Sequence, residues 1–294
     1  MRINYFYFIW RIIMKSLKKI AAVIMAAVIL VCSFALTSSA AGAKNYLLLG
    51  DSIAYGQGLL NSQDACYGKI VADTNGYNYT NYAVDGYTSE ALLRYLDVDF
   101  VSAGVRNADI ISISIGGNDF LTTNLIALLI GAETGNDARF DKIEAEFSSN
   151  FSGIISKIKS LNSHAAILVQ TVYNPSKFLF TEDYQKGVNV INGVIRNYLG
   201  AHPGAYSIVE VESAFAGHAR EYIAIDTIHP NSKGNLVIAR LVLQKLYSMG
   251  LGSSTEPVVN NPGIDWNGIS GSSFAEIIGY FFRLFSKYAG ILFA

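Results

Sequence analysis

The apolar and polar positions of the chain alternate short buried strands with amphipathic helices. Tyr46 to Leu49 is a continuous apolar run that stops at Gly50-Asp51-Ser52. Leu59 to Thr74 reads as helical, Tyr79 to Ala83 as strand, and Glu90 to Leu96 as a short helix. ADIISISIGGND, Ala108 to Asp119, is a strong strand ending in glycines, and Ala138 to Leu161 is long, polar and periodic, hence helical. AAILVQTVYNP is a further strand closed by Pro175. Asp183 to Leu199 carries Val188, Ile191, Val194 and Ile195 at helical spacing. YSIVEV, Tyr206 to Val211, is a last strand, and Asn235 to Met249 a last helix with Val237, Ile238, Leu241, Leu243 and Leu246. Strands that are continuously apolar, alternating with helices, predict an α/β domain with a mostly parallel sheet covered on both faces. Such sheets bind ligands beyond the carboxyl ends of their strands, and Gly50, Gly86, Gly116 and Gly117 stand at those ends. No internal repeat is visible.

The pattern changes at both ends. Lys15, Lys18 and Lys19 precede the apolar run Ile20 to Leu36, and the small residues TSSAAGA follow. A positive region, an apolar region and a small-residue zone make residues 1–43 a secretory signal peptide, cleaved after Ala40 or Ala43. The alternative is a membrane anchor, for which the run is short. MRINYFYFIWRII upstream is unusual in a signal peptide, and Met14 is the more natural start. Cys32 follows Val31, which argues against a lipid anchor. Residues 44–249 form the main domain. Residues 250–273, rich in Gly, Ser, Asn and Pro, read as a linker. Residues 274–294, FAEIIGYFFRLFSKYAGILFA, contain only Glu276, Arg283 and Lys287 as charges and read as an amphipathic C-terminal helix. This helix suits membrane or cell-surface contact, or packing on the domain or a partner.

Composition agrees. Hydrophobic residues are 51% and charged residues 15% of 294, a charged share low for a soluble domain, as expected if the two ends lie outside it. Removing residues 1–43 takes away five positive charges and no negative ones, so the formal charge moves from −1 to −6. An acidic mature chain without a basic stripe gives no electrostatic reason to bind nucleic acid. It also keeps Cys66 as its single cysteine, so no internal disulfide is expected.

Ser52, at the end of the first strand, raises the question of chemistry. A serine hydroxyl needs a base, usually an oriented histidine. His164, His202 and His218 lie in turns or loops without a catalytic setting. His229 lies in AIDTIHPNSKGN, three residues after Asp226, a spacing that brings carboxylate and imidazole together on a turn. Developing negative charge on an ester oxygen needs donors. The Ser52 N–H, the Gly86 N–H and the Asn118 side chain are candidates, although Gly86 also suits a turn, and Asn118 and Asp119 suit capping of a helix starting near Phe120. Asp51 is too close in sequence to Ser52 to orient His229 and reads as a residue that holds the nucleophile turn. DARFDKIEAEF reads as a solvated helix face rather than a metal site, and no phosphate loop or dinucleotide fingerprint is present. Tyr173, Asn174 and Pro175, after a strand, are candidates for lining a cleft.

With these residues in order, the sequence resembles the GDSL, or SGNH, family of esterases and lipases (acylhydrolases) of the secreted bacterial type. GDSIAYG resembles the first block, NYAVDGYTS the second, IGGND the third and DTIHPN the last, over about residues 44 to 249. Two departures are minor: Ile53 stands where the family name has leucine, and Gly86 follows Val84-Asp85, where members often carry a smaller residue. The resemblance implies a three-layer α/β/α sandwich, the SGNH hydrolase fold, with no metal or organic cofactor. It implies Ser52 as nucleophile, Asp226 and His229 completing the triad, and Ser52, Gly86 and Asn118 as the oxyanion hole. The function it implies is a secreted serine esterase acting through an acyl-enzyme on a lipid, a small ester or an acylated sugar. Two alternatives are a carbohydrate O-deacetylase and a non-catalytic surface-binding module.

Overall fold

The apolar runs build a five-stranded sheet, and their order explains where a ligand can sit. The computed structural model describes residues 42–121, 138–176 and 181–265, together with Met25. The chain divides into two units, Met1–Ala43 and Lys44–Ala294. Of the first, Met25 is helical and exposed; the leader expected there, including Met14 and Cys32, falls outside the described residues, as does the amphipathic segment 274–294.

In the second unit, β1 (Asn45–Gly50), β2 (Asn78–Asn81), β3 (Ile110–Ser114), β4 (Ala166–Gln170) and β5 (Ser207–Val209) lie in the order β2-β1-β3-β4-β5. Every neighbouring pair is parallel. The chain leaves β1 toward one edge and returns on its other side for β3. The crevice between the ends of β1 and β3 is therefore the topological switch point where such sheets bind ligands.

The helices are α1 (Ser52–Tyr55), α2 (Ser62–Ala65), α3 (Tyr67–Asn75), α4 (Ser89–Tyr95), α5 (Asp99–Asn107), α6 (Ala138–Leu161), α7 (Thr181–Ala201), α8 (Val211–Phe215), α9 (Ala219–Tyr222) and α10 (Ser232–Ser248). A helical turn also covers 117–121. Because side chains alternate along a strand, each apolar run feeds two cores. Leu47, Leu49, Ile111 and Ile113 pack with Leu92, Val105, Phe147, Phe151 and Ile195. Tyr46, Leu48, Ile110 and Leu168 pack with Ile70, Val71, Ile238, Val242 and Leu246. The result is an α/β/α sandwich with α4 to α7 on one face and α3 and α10 on the other. Each large side chain buried in this way contributes about 1.5–3 kcal/mol.

Three elements differ from the sequence reading. The single helix expected over Leu59 to Thr74 is two, because Cys66 is extended (φ −65°, ψ 163°) and restarts the chain as α3. Asn235 of α10 accepts the Tyr67 N–H at 3.0 Å, which satisfies a first-turn donor of the new helix. The helix α5, DFVSAGVRN, carries little helix propensity of its own and is held by Val101 and Val105 buried in the core. Residues 251–265, expected as linker on composition, instead lie along the domain. Tyr77 Oη donates to the Leu251 carbonyl at 2.6 Å, the Ser253 N–H to Asn75 Oδ1 at 2.7 Å, the Val258 N–H to Thr74 Oγ1 at 2.9 Å and the Ile264 N–H to Asn61 Oδ1 at 2.9 Å.

Candidate active site

The abrupt end of β1 has a steric cause. Gly50 has φ 128°, and a Cβ there would stand 1.9 Å from the Ser114 carbonyl oxygen of β3. Asp51 then caps α1: its Oδ1 accepts the Ile53 N–H at 3.0 Å and the Ser114 Oγ–H at 2.8 Å. Ser52 is thus the first residue of a short helix lifted over the switch point, and its side chain is buried. Asp51 holds the turn, as the sequence reading has it, and does so through a partner the reading omitted. Burial pushes its carboxyl up to about 7, against the pull of Ser114, Ile53 and His229, with Asp119 adding to the rise.

His229 comes from the far end of the fold. Its Nδ1 lies 2.8 Å from Asp226 Oδ2, while Asp226 Oδ1 accepts the backbone N–H groups of Ile228 and His229, both at 3.0 Å. Burial would push the Asp226 carboxyl up, but its bonds and charge contact with His229 and the two backbone donors outweigh this and hold it below the ordinary carboxylate value. The loop is tight. Thr227 takes a left-handed φ of 67°, at a cost of roughly 1–2 kcal/mol. The Ala224 N–H donates to the His229 carbonyl at 2.8 Å and the Asn231 N–H to the Tyr222 carbonyl at 2.9 Å. From the second core Tyr173 Oη donates to the Ile228 carbonyl at 2.7 Å. Gly58 (φ 101°) lies against the same loop: a Cβ there would stand 2.9 Å from His229 Cβ and 2.6 Å from the Pro230 oxygen.

One pocket brings these groups together. It encloses about 820 Å³, its open mouth included, and is lined by Asp51, Ser52, Asn118 and His229 among others. Asp226 stands behind His229. Gly86 (φ 81°) lies in the turn after β2, next to Asp85, which lines the pocket. Asn118 Nδ2 donates to the Tyr87 carbonyl at 2.9 Å; an amide NH₂ has two hydrogens, and this bond uses one and fixes the amide plane. The capping expected of Asn118 and Asp119 takes a different form, because the helical turn begins at 117 and contains both. Asp119 serves another helix: its carboxylate accepts the Ser89 N–H at 2.9 Å and the Ser89 hydroxyl. Burial raises the Asp119 carboxyl.

The pocket also has an apolar arm. Phe120, Leu121, Val172, Tyr173, Pro175, Val188 and Ile191 form this apolar part of the lining. Of the three residues after β4 considered for the cleft, Tyr173 and Pro175 line it, whereas Asn174 Nδ2 bonds Gln185 at 3.2 Å. The arm is possible because a Cβ at residue 187 would meet the Phe120 ring at 2.2 Å, so Gly187 lets the ring lie against α7. The other histidines are elsewhere: His202 stacks on Tyr198, His218 stacks on Tyr222, and His164 lies in the turn before β4. Among the described residues no three His, Cys, Asp or Glu side chains stand together as a metal site. The sequence reading missed Ser114, Gly58 and the Tyr173 bond. Ser112 and Ser114, polar in an otherwise apolar buried strand, were the visible signal for the first.

The profile of the "GDSL-like Lipase/Acylhydrolase family" matches residues 48–237. The chain is 32% identical over 183 residues to the protein YpmR of Bacillus subtilis (strain 168), covering 58% of this chain and 67% of that one. It is 25% identical over 175 residues to the spore germination lipase LipC of Bacillus licheniformis, covering 58% of this chain and 77% of the relative. Among solved structures, the lipase Lip_vut3 from a goat rumen metagenome superposes with a TM-score of 0.57 at 23% identity, covering 71% of this chain and 98% of that one. That likeness is one of fold.

Proposed function

Since the chain belongs to the GDSL-like lipase/acylhydrolase family, we propose that it is a serine ester hydrolase in which Ser52 is the nucleophile, His229 the base and Asp226 the residue that orients it. The observation carrying this reading is the 2.8 Å contact between His229 Nδ1 and Asp226, in a pocket lined by both Ser52 and His229. A proton held on Nδ1 by the carboxylate leaves Nε2 free to accept one. His229 Nε2 takes the Ser52 hydroxyl proton as Oγ bonds to the ester carbonyl carbon. The carbonyl π electrons move to oxygen, where the N–H groups of Ser52 and Gly86 and the Asn118 amide receive the charge. Collapse expels the alcohol, which takes the proton from His229. Water then attacks the acyl-enzyme with the same histidine as base, releasing the acid and restoring Ser52.

The apolar arm supports an acyl group longer than acetyl, which favours a lipid or medium-chain ester over the O-deacetylase alternative. The lipase among the relatives adds weight to this choice. Export through residues 1–43 and lipid contact through 274–294 belong to the same proposal and rest on sequence pattern alone. N-terminal sequencing of the protein recovered from culture medium tests the first.

The test of the chemistry is mass spectrometry after fluorophosphonate treatment, run beside a panel of acetyl, butyryl, octanoyl and acetyl-sugar esters. We expect one adduct, on Ser52, and greater kcat/KM for butyryl or octanoyl than for acetyl esters. A folded protein with no adduct and no turnover would sink the reading in favour of a binding module. Best turnover on acetyl-sugars would favour the deacetylase.

A further inference from the structure

Residues 251–265 follow the family match, which ends at residue 237, yet they bond to Ser232, three residues after His229. After α10 the chain runs back past Asn75 and Thr74 of α3. The Asn261 side chain then donates to the Asp64 carbonyl at 3.3 Å, and Asn61 Nδ2 donates to the Pro262 carbonyl at 3.1 Å. The Leu60 N–H donates to the Ile264 carbonyl at 3.0 Å, and Leu59 and Asp265 pair as an isolated antiparallel bridge. Finally the Asp265 carboxylate accepts the Ser232 N–H at 2.7 Å and the Ser232 hydroxyl at 2.6 Å.

The two segments joined here come from opposite ends of the fold. Leu59 follows Gly58, which lies against His229 and Pro230 and stands six residues after Ser52. Ser232 opens α10 three residues after His229. Its N–H is one of the first-turn donors that a helix cannot satisfy internally. The helix cap, Asn231, spends its side chain on the Gly234 N–H, so Ser232 depends on an outside acceptor. A carboxylate is also the group favoured at a helix N-terminus. The His229 loop is thus held on one side by Tyr222 and Ala224, and on the other by Asp265.

We propose that Asp265 is a positioning residue: by clasping Ser232 to the segment 59–61 it sets the separation of Ser52 and His229. The inference rests on the triad reading above. A base displaced by about 1 Å costs up to 10²-fold in rate. Asp265→Ala in the full chain should lower kcat and the rate of fluorophosphonate labelling together by about 10- to 100-fold, with KM changed less than about two-fold. Asp265→Asn should restore most of the rate, since its amide oxygen can accept the Ser232 N–H and its NH₂ can donate to the Ser232 oxygen. The ¹⁵N NMR chemical shifts of the His229 imidazole without substrate should differ between wild type and Asp265→Ala.

Labelling of the wild type tests the triad, whereas the ratio of variant to wild type tests the clasp. A wild type that does not label Ser52 therefore counts against the first reading, and the NMR comparison still decides the second. If Asp265→Ala does not fold, Ser232→Ala, which removes one of the two contacts, carries the same comparison with a smaller loss. Wild-type kcat and labelling in a folded Asp265→Ala would overturn the proposal. So would a loss that Asp265→Asn fails to repair, or a lowered Tm with unchanged kcat.

Discussion

Replacing Asp226 with asparagine separates the charge of the pair from its shape. In the structure Asp226 Oδ1 is held by two backbone N–H groups at 3.0 Å and Oδ2 faces His229 Nδ1 at 2.8 Å. The new amide must keep its oxygen on the two donors, since turning it around would set an NH₂ against two N–H groups. Its NH₂ therefore points at Nδ1. The imidazole answers by moving its proton to Nε2, where the base should be accepting one. The wrong tautomer in a triad costs about 10⁴-fold in kcat, roughly 5.5 kcal/mol in the barrier. Turnover of a butyryl ester at neutral pH measures the loss, with far-ultraviolet circular dichroism as the check on folding and ¹⁵N NMR of the imidazole reporting the tautomer. A kcat within about ten-fold of wild type, in a variant shown to carry its proton on Nε2, would refute the argument from tautomer to rate.

Asp51 supplies a pH test. Its carboxyl rises from 3.8 to about 7 in the folded protein, so the folded state keeps a proton that the unfolded chain gives up. The stability tied to it is complete below about pH 4 and is lost as pH rises through 7, up to roughly 4 kcal/mol. Asp51→Asn, neutral throughout, should flatten that part of the profile in urea unfolding, and an unchanged slope between about pH 4 and 7 would remove Asp51 as its source. Asn118→Ala should lower kcat by about 10²–10³-fold with little change in KM; equal kcat would take Asn118 out of the oxyanion role. Ending the chain at residue 265 keeps the clasp and should spare butyryl-ester hydrolysis while abolishing flotation with anionic phospholipid vesicles. Equal flotation of both forms would show that the tail is not the attachment.

Much of this was legible because the sheet writes itself as continuous apolar runs. β1, β3 and β4 lie where Tyr46–Leu49, ADIISISIGGND and AAILVQTVYNP predict them, and α6 has the bounds expected of Ala138 to Leu161. Ser52, Asn118 and His229 stood out as candidates beside a strand end, a glycine and a proline, and Asp226 by its three-residue spacing from His229. What escaped was long-range. The new helix after Cys66 has its Tyr67 N–H accepted by Asn235, which lies 168 residues beyond Tyr67. Likewise α5 is built of poor helix formers, although Val101 and Val105 stand four apart on its buried face. Residues 251–265 have linker composition because a segment bonded through its backbone and asparagines needs no apolar stripe. Asp119 looked like a local cap, yet its partner is Ser89.

The parallel order of the sheet also sets a schedule. The segment bearing Ser52 is made early, and about 180 residues must follow before His229 exists, roughly 10–40 s of synthesis at ordinary elongation rates. The close approach of Gly50 to Ser114 can form only once β3 has been made, and that of Gly58 to Pro230 only once the His229 loop has. Contacts this distant in sequence close slowly and late. Until they close, Ser52 lacks the base that the proposed mechanism assigns to it.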